Sequence, residues 1–253
     1  MIRLFLILIV LSCFACNTGP DKAFDGNADS ASFAGKPVFT MVPAAEIPQG
    51  ITVKGDVEEA WNWKDAQGEH LLILSRVLPY DETGGSEEED AGQTSEIYAA
   101  AYLLGNGEPQ RLWLVSEKEE NCPLDLTCNF LPGSTTITDL DSNGVAEIKV
   151  QYEKTCRGDV SPSNMKLIMY EGKSLFVLEG VRWVFTEPGD VFNVTGENVN
   201  LEKLPRKKDD IDQMIQAFGR YETEKAFTSA PPAFLEFARG EWLRYAKENI
   251  GGN

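Results

Sequence analysis

The sequence predicts an α+β fold: a mainly antiparallel β-sheet made of hairpins, with C-terminal helices packed against it. Three observations carry that expectation. From residue 36 to about 200, apolar or alternating runs of strand length are separated by polar, glycine-bearing turns. From about residue 207 the apolar residues change to helical spacing. The chain has 253 residues, 42% of them hydrophobic and 10% aromatic, enough to fill one core in a single domain over 36–250.

The elements follow in chain order. Met1-Ile2-Arg3 is a short positive n-region and Leu4 to Leu11 an unbroken apolar stretch, too short to span a bilayer and suited to a secretory signal. The signal ends in Ser12-Cys13-Phe14-Ala15-Cys16, and a small residue before a cysteine at this point looks like a bacterial lipoprotein signal over residues 1–15. Cys16 is the favoured lipidation site. Cys13, with Val10 and Ser12 upstream, is the alternative, and an ordinary cleaved signal without lipid is a third reading. Residues 16–35 are polar and small enough to be a flexible tether. A lipid anchor on such a tether holds a domain beside a membrane without embedding it, so the expected location is the cell envelope.

Within the domain, Leu71 to Leu78 reads as a strand, preceded by a turn over Trp63–His70. Residues 79–96 are acidic and glycine-rich and read as a surface loop. Ile97 to Leu104 and Arg111 to Val115 read as an antiparallel pair broken by Gly105-Asn106-Gly107. Thr135 to Thr138 and Ile148 to Tyr152 flank the run Asp139–Glu147 as a hairpin. Ile148, Val150 and Tyr152 alternate and so share one face, the expected core face. Met165–Tyr170 and Leu175–Leu178 form a second hairpin around Gly172, and Val181–Phe185 and Val191–Val194 are expected to continue the sheet. Ile211, Met214, Ile215 and Phe218 follow the capping pair Asp209-Asp210 as one helix. After Pro231-Pro232, the stripe Leu235, Ala238, Trp242, Tyr245 and Ala246 predicts a second, ended by Gly251-Gly252.

Asp139-Leu140-Asp141-Ser142-Asn143-Gly144-Val145-Ala146-Glu147 carries the most chemistry. Asp139, Asp141, Asn143 and Glu147 place side-chain oxygens at positions one, three, five and nine, and Val145 offers its carbonyl at position seven. That spacing suits a hard cation such as Ca²⁺ in a structural role. Position twelve is Val150 and the flanks are strands, so the run is not an EF-hand but a calcium-type β-hairpin loop. A polar Asp/Asn/Gly turn without metal explains the same residues. The turn at 63–69, which also feeds an apolar strand, echoes this loop faintly.

Past the tether lie Cys122, Cys128 and Cys156. An exported chain meets an oxidising compartment, where three cysteines allow one bridge. Cys122–Cys156 is preferred for its longer closed loop, and Cys122–Cys128 is the other pairing. A zinc site is poorly supported, because His70 is the sole histidine. His70 reads as an exposed turn residue rather than a catalytic base, and no phosphate-binding glycine loop is present. Arg157-Gly158-Asp159 matches a short adhesion tripeptide but reads as a tight loop. Trp61, Trp63, Trp113, Trp183 and Tyr80 could stack on sugars, though tryptophans in a β domain are usually core.

The charge balance is 23 basic against 40 acidic residues, a net −17. Phosphate binding needs a basic surface, so no nucleic-acid partner is expected. The excess fits a soluble extracytoplasmic domain and attracts cations.

Thr138–Glu147, Cys156–Pro162 and Lys166–Gly172 occur in this order. Over about residues 50–185 the chain resembles a poorly characterised family of secreted or lipid-anchored bacterial proteins often labelled surface polysaccharide biosynthesis proteins. The resemblance implies an envelope location and a glycan context, and it brings no catalytic residues. The function expected from all of this is non-enzymatic binding or scaffolding of a glycan or envelope protein. The alternative is a carbohydrate-active enzyme using paired carboxylates.

Overall fold

The computed structural model describes residues 37–81, 92–105, 107–159, 161–185 and 189–248. The signal, the lipidation cysteines Cys13 and Cys16, the tether up to residue 35, most of the acidic loop and Gly251-Gly252 lie outside the described residues. Two antiparallel sheets pack face to face, and the C-terminal part of the chain covers the far side of the second sheet.

The first sheet is a five-stranded meander in chain order. Its strands are β1 (Val38–Met41), β2 (Asp56–Asp65), β3 (Gly68–Asp81), β4 (Gln93–Leu104) and β5 (Gln110–Cys122). Two sequence expectations need correction here. The turn expected over 63–70 is only Ala66-Gln67, because Trp63 to Asp65 and Gly68 to His70 pair with each other as strand ends. The expected loop at 79–96 is shorter at both ends, since β3 runs to Asp81 and β4 begins at Gln93.

The second sheet has the order β10-β9-β8-β6, with β7 also paired to β8. Its strands are β6 (Asp125–Phe130), β7 (Thr136–Thr138), β8 (Glu147–Arg157), β9 (Asn164–Glu171) and β10 (Ser174–Val181). Val181 at the end of β10 and Trp183 beyond it make isolated bridges to Phe218 and Lys247, and residues 191–194 are not a strand. The expected continuation of the sheet past Val181 therefore fails. Gly180 explains part of this: a Cβ there would lie 2.1 Å from the Arg220 carbonyl oxygen, so the C-terminal chain already occupies that edge.

Ile148, Val150 and Tyr152 of β8 face the first sheet, packing with Trp63, Leu72, Leu74, Ile97 and Trp113. The opposite face of the second sheet is apolar on β9 and β10, where Met165, Leu167, Met169, Phe176 and Leu178 meet the C-terminal chain. Two helices end the fold. In α1 (Asp210–Ala217), the Asp209 carboxylate caps the N–H groups of Ile211 and Asp212, but Ile211, Met214 and Ile215 are exposed and only Phe218, just past its end, is buried. In α2 (Pro232–Tyr245), Phe234, Ala238 and Trp242 are fully buried against β9 and β10. Among the described residues no helix is long and apolar enough to cross a membrane.

Candidate metal centre

The loop at 139–146 joins β7 to β8, whose register pairs Thr138 with Glu147. Its bend is made by Ser142 and Gly144, both at positive φ (60° and 81°). Glycine takes that conformation without strain, which is why position six of the run holds one. Asx-type bonds close the turn: the Asn143 N–H donates to Asp141 Oδ1 at 3.2 Å, Gly144 N–H to Asp139 Oδ2 at 3.2 Å, and Val145 N–H to Asn143 Oδ1 at 2.7 Å.

This folding brings three carboxylates together. One oxygen each from Asp139, Asp141 and Glu147 lies within 4.8 Å of the others, and the group could hold a metal ion. Glu147 is 1% exposed, and its carboxylate accepts from the Leu140 N–H at 2.9 Å and the Thr138 hydroxyl at 2.8 Å. Burial raises its carboxyl above the usual range, those two donors pull it back, and the Asp141 charge adds to the rise. Asp139 Oδ1 is buried with no hydrogen-bond partner. Among the described residues no lysine or arginine forms an ion pair with any of the three acids. A buried, unpartnered carboxylate oxygen beside two more acids is the environment a cation relieves.

The other two expected ligands sit differently. Asn143 turns its Nδ2 inward, donating to Asp141 Oδ2 at 3.1 Å and to Glu171 Oε1 at 2.6 Å, so its oxygen is used by Val145 instead. Val145 takes part through its N–H in that bond. Glu171, at the end of β9, lies 28 residues from Asn143, so no local spacing links the two.

The loop also docks on the opposite sheet. Ala66 N–H donates to the Gly144 carbonyl at 2.7 Å, and Ala146 N–H donates to Asp65 Oδ2 at 3.1 Å. The two turns that echo each other in sequence therefore touch. Asp65 also accepts from Trp63 Nε1 at 3.2 Å and lies 2.9 Å from His70 Nε2. Burial pushes the Asp65 carboxyl up, but the Ala146 and Gln67 N–H groups and His70 outweigh it and hold it low. His70 is 2% exposed and stacks on Trp63 at 4.8 Å, which corrects its reading as an exposed turn residue. It braces the inter-turn contact.

The remaining candidates resolve as follows. Cys122 and Cys156 are joined, with Cα atoms 5.5 Å apart, while Cys128 is a buried free thiol whose pKa burial pushes up to about 11. Arg157 is engaged by Glu248 and by the Ser161 carbonyl, so the Arg157-Gly158-Asp159 run does not present a free arginine. Trp63, Trp113 and Trp183 are buried, whereas Trp61 is half-buried and Tyr80 exposed. Comparison with family models, curated proteins and solved structures finds no match to the chain.

Proposed function

We propose that this is a lipid-anchored cell-envelope protein that binds or scaffolds rather than catalyses, and that its β7–β8 loop holds a structural Ca²⁺. The observation that carries the cation is the convergence of Asp139, Asp141 and Glu147, with Asp139 Oδ1 buried and unpartnered. Calcium takes six to eight oxygens. Asp139, Asp141, Glu147 and the Val145 carbonyl would supply part of that set, Asn143 would join by turning its amide, and water would complete it. The ion's chemistry here is charge neutralisation. Because the loop is bonded to Ala66 and Asp65, neutralising it would brace the contact between the two sheets.

The envelope assignment rests on the N-terminal signal, the cysteine pair and the sequence resemblance, which also favours a surface-polysaccharide context. The competing enzyme reading gains no support from this cluster. Glycosidase carboxylates oppose each other across a sugar, whereas these converge from a single loop.

Calorimetry tests the cation. Calcium should bind with a stoichiometry of one, and Asp141→Ala, at an exposed residue, should abolish the heat. At a hundredfold excess over Kd the gain would be about 2.7 kcal/mol. For a domain of this size that is a rise of roughly 5–10 °C in Tm. Absence of both heat and thermal shift in the parent would remove the cation.

A further inference from the structure

A second site lies on the outer face of the first sheet, away from the cation loop. The run Tyr98-Ala99-Ala100-Ala101-Tyr102 of β4 sends Tyr98, Ala100 and Tyr102 to that face, because strand residues alternate. The small Ala100 between two tyrosines leaves a recess, and its partners Ile73 on β3 and Leu114 on β5 give it an apolar floor. The segment before β2 forms one wall and is pinned by the Ser75 hydroxyl donating to the Lys54 carbonyl at 2.8 Å. Arg111, the cross-strand partner of Tyr102, stands at the opposite wall. The cavity holds about 180 Å³. A cavity of about 150 Å³ takes a benzene ring, so this one suits a single six-membered ring with a substituent.

Charge decides what enters. Among the described residues no aspartate or glutamate lines the cavity, in a chain whose net charge is −17. Lys54 is matched by Glu96 beneath it, which also accepts from Tyr80 at 2.7 Å, while the Lys54 ammonium reaches the Tyr98 hydroxyl at 2.7 Å. Arg111 is exposed and, among the described residues, its guanidinium has no hydrogen bond or ion pair. The Tyr102 hydroxyl likewise forms no hydrogen bond there. One uncompensated guanidinium beside an apolar recess asks for one negative charge, and its fork matches a carboxylate in two parallel bonds.

We propose that this cavity binds a small ring bearing one carboxylate, with the ring between Tyr98 and Tyr102 over Ala100 and the carboxylate on Arg111. An acidic sugar and an aromatic acid share that chemistry. The cavity shares no residue with the cation loop.

Titration by protein NMR with glucuronate, benzoate and glucose separates the cases. At least one of the two acids should shift the signals of the β4 and β5 residues named here, more weakly at high salt, and neutral glucose should not. Glucuronate alone would make the ligand an acidic sugar, and benzoate alone an aromatic acid. Arg111→Ala should weaken binding at least tenfold with an unchanged Tm, and Arg111→Lys should restore part of it. Asp141→Ala should leave it unaltered, so loss of calcium binding and loss of this site are told apart. Binding of neither acid, equal binding of glucose, or full affinity in Arg111→Ala would each overturn the proposal.

Discussion

At the scale of single residues, the acids of this chain fall into two kinds. Among the described residues Asp139, Asp141 and Glu147 have no basic partner, whereas Glu224 has several. The Glu224 carboxylate accepts from Arg239 at 2.7 Å, from Lys203 at 2.7 Å and from the buried Tyr221 hydroxyl at 2.6 Å. Burial alone would raise its carboxyl, but Arg239, Lys203 and Tyr221 outweigh it and hold the pKa at about 2. A carboxyl depressed on folding stabilises the native state above its unfolded value, near 4.3, and that contribution is lost as pH falls toward the folded value. Glu224→Gln should therefore destabilise the protein by about 2–3 kcal/mol at pH 7, the scale of charged hydrogen bonds. The gap between parent and variant should narrow steadily from pH 5 to pH 2.5 in parallel urea melts. A gap independent of pH would mean that the side chain acts by shape and not by charge. The convergence of Asp139, Asp141 and Glu147 is legible in the sequence because the three acids share one loop with fixed spacing. Glu171 and Asp65 are not, because only the folded register of distant strands brings them to Asn143 and Ala146.

Individual elements show where periodicity informs and where it misleads. The alternation in β8 correctly marks Ile148, Val150 and Tyr152 as one core face. It gives no hint that the polar face is buried too: Glu147, Lys149 and Gln151 are each at most 1% exposed. Lys149 owes that burial to Glu241 of α2, Gln151 to Met165 of β9 and Glu147 to the loop residues Thr138 and Leu140, and the first two partners are invisible in a local pattern. Helical spacing likewise found α1, yet Ile211, Met214 and Ile215 stay exposed, because spacing reports an apolar stripe and not what covers it. In α2 the stripe was found but Phe234, fully buried, was missed at its first turn. The strands β2 and β6 carry too many polar residues to stand out, and pairing overrides that composition, with β1 and β3 on the two sides of β2 and with β8 on one side of β6. Lys149 shows how β8 and α2 are tied. Its ammonium pairs with Glu241 of α2 at 2.5 Å and lies 5.3 Å from the Tyr245 ring centre. Lys149→Ala would leave Glu241, 13% exposed, without its nearest counter-charge. Breaking such a pair from one side costs about 3 kcal/mol. Equilibrium urea unfolding should show that loss, and Lys149→Met should recover part of it through its apolar stem. A loss below about 1 kcal/mol would mean that Phe234 and Trp242 hold α2 by packing alone.

At the scale of the whole molecule, Glu117 of β5 joins the sheets by accepting from Tyr152 and pairing with Lys154 and Lys166 of the second sheet, and two further devices act besides the shared core. One is the contact of the cation loop with the β2–β3 turn. The other is the bond between Cys122, at the end of β5 in the first sheet, and Cys156, near the end of β8 in the second. The composition and turn pattern pointed to an α+β molecule with antiparallel hairpins, and the architecture agrees. The division into two facing sheets was not legible, since the change of sheet occurs within Pro123-Leu124, a link too short to carry a signal of its own. The cysteine separation of 34 residues sets what the bridge is worth. Closing a loop of that length removes unfolded-state entropy equal to about 4 kcal/mol at 25 °C. The bridge and the 139–147 loop act on different parts of the sheet interface and share no residue, so their contributions should add. The double substitution Cys122→Ala with Cys156→Ala should therefore lower stability by about 2–4 kcal/mol both with and without calcium, read by urea unfolding of the parent and the variant. Calcium should raise the stability of both proteins by the same amount. A calcium effect that vanishes in the bridge-free protein would show instead that the disulfide positions the loop, and that the two devices form one unit.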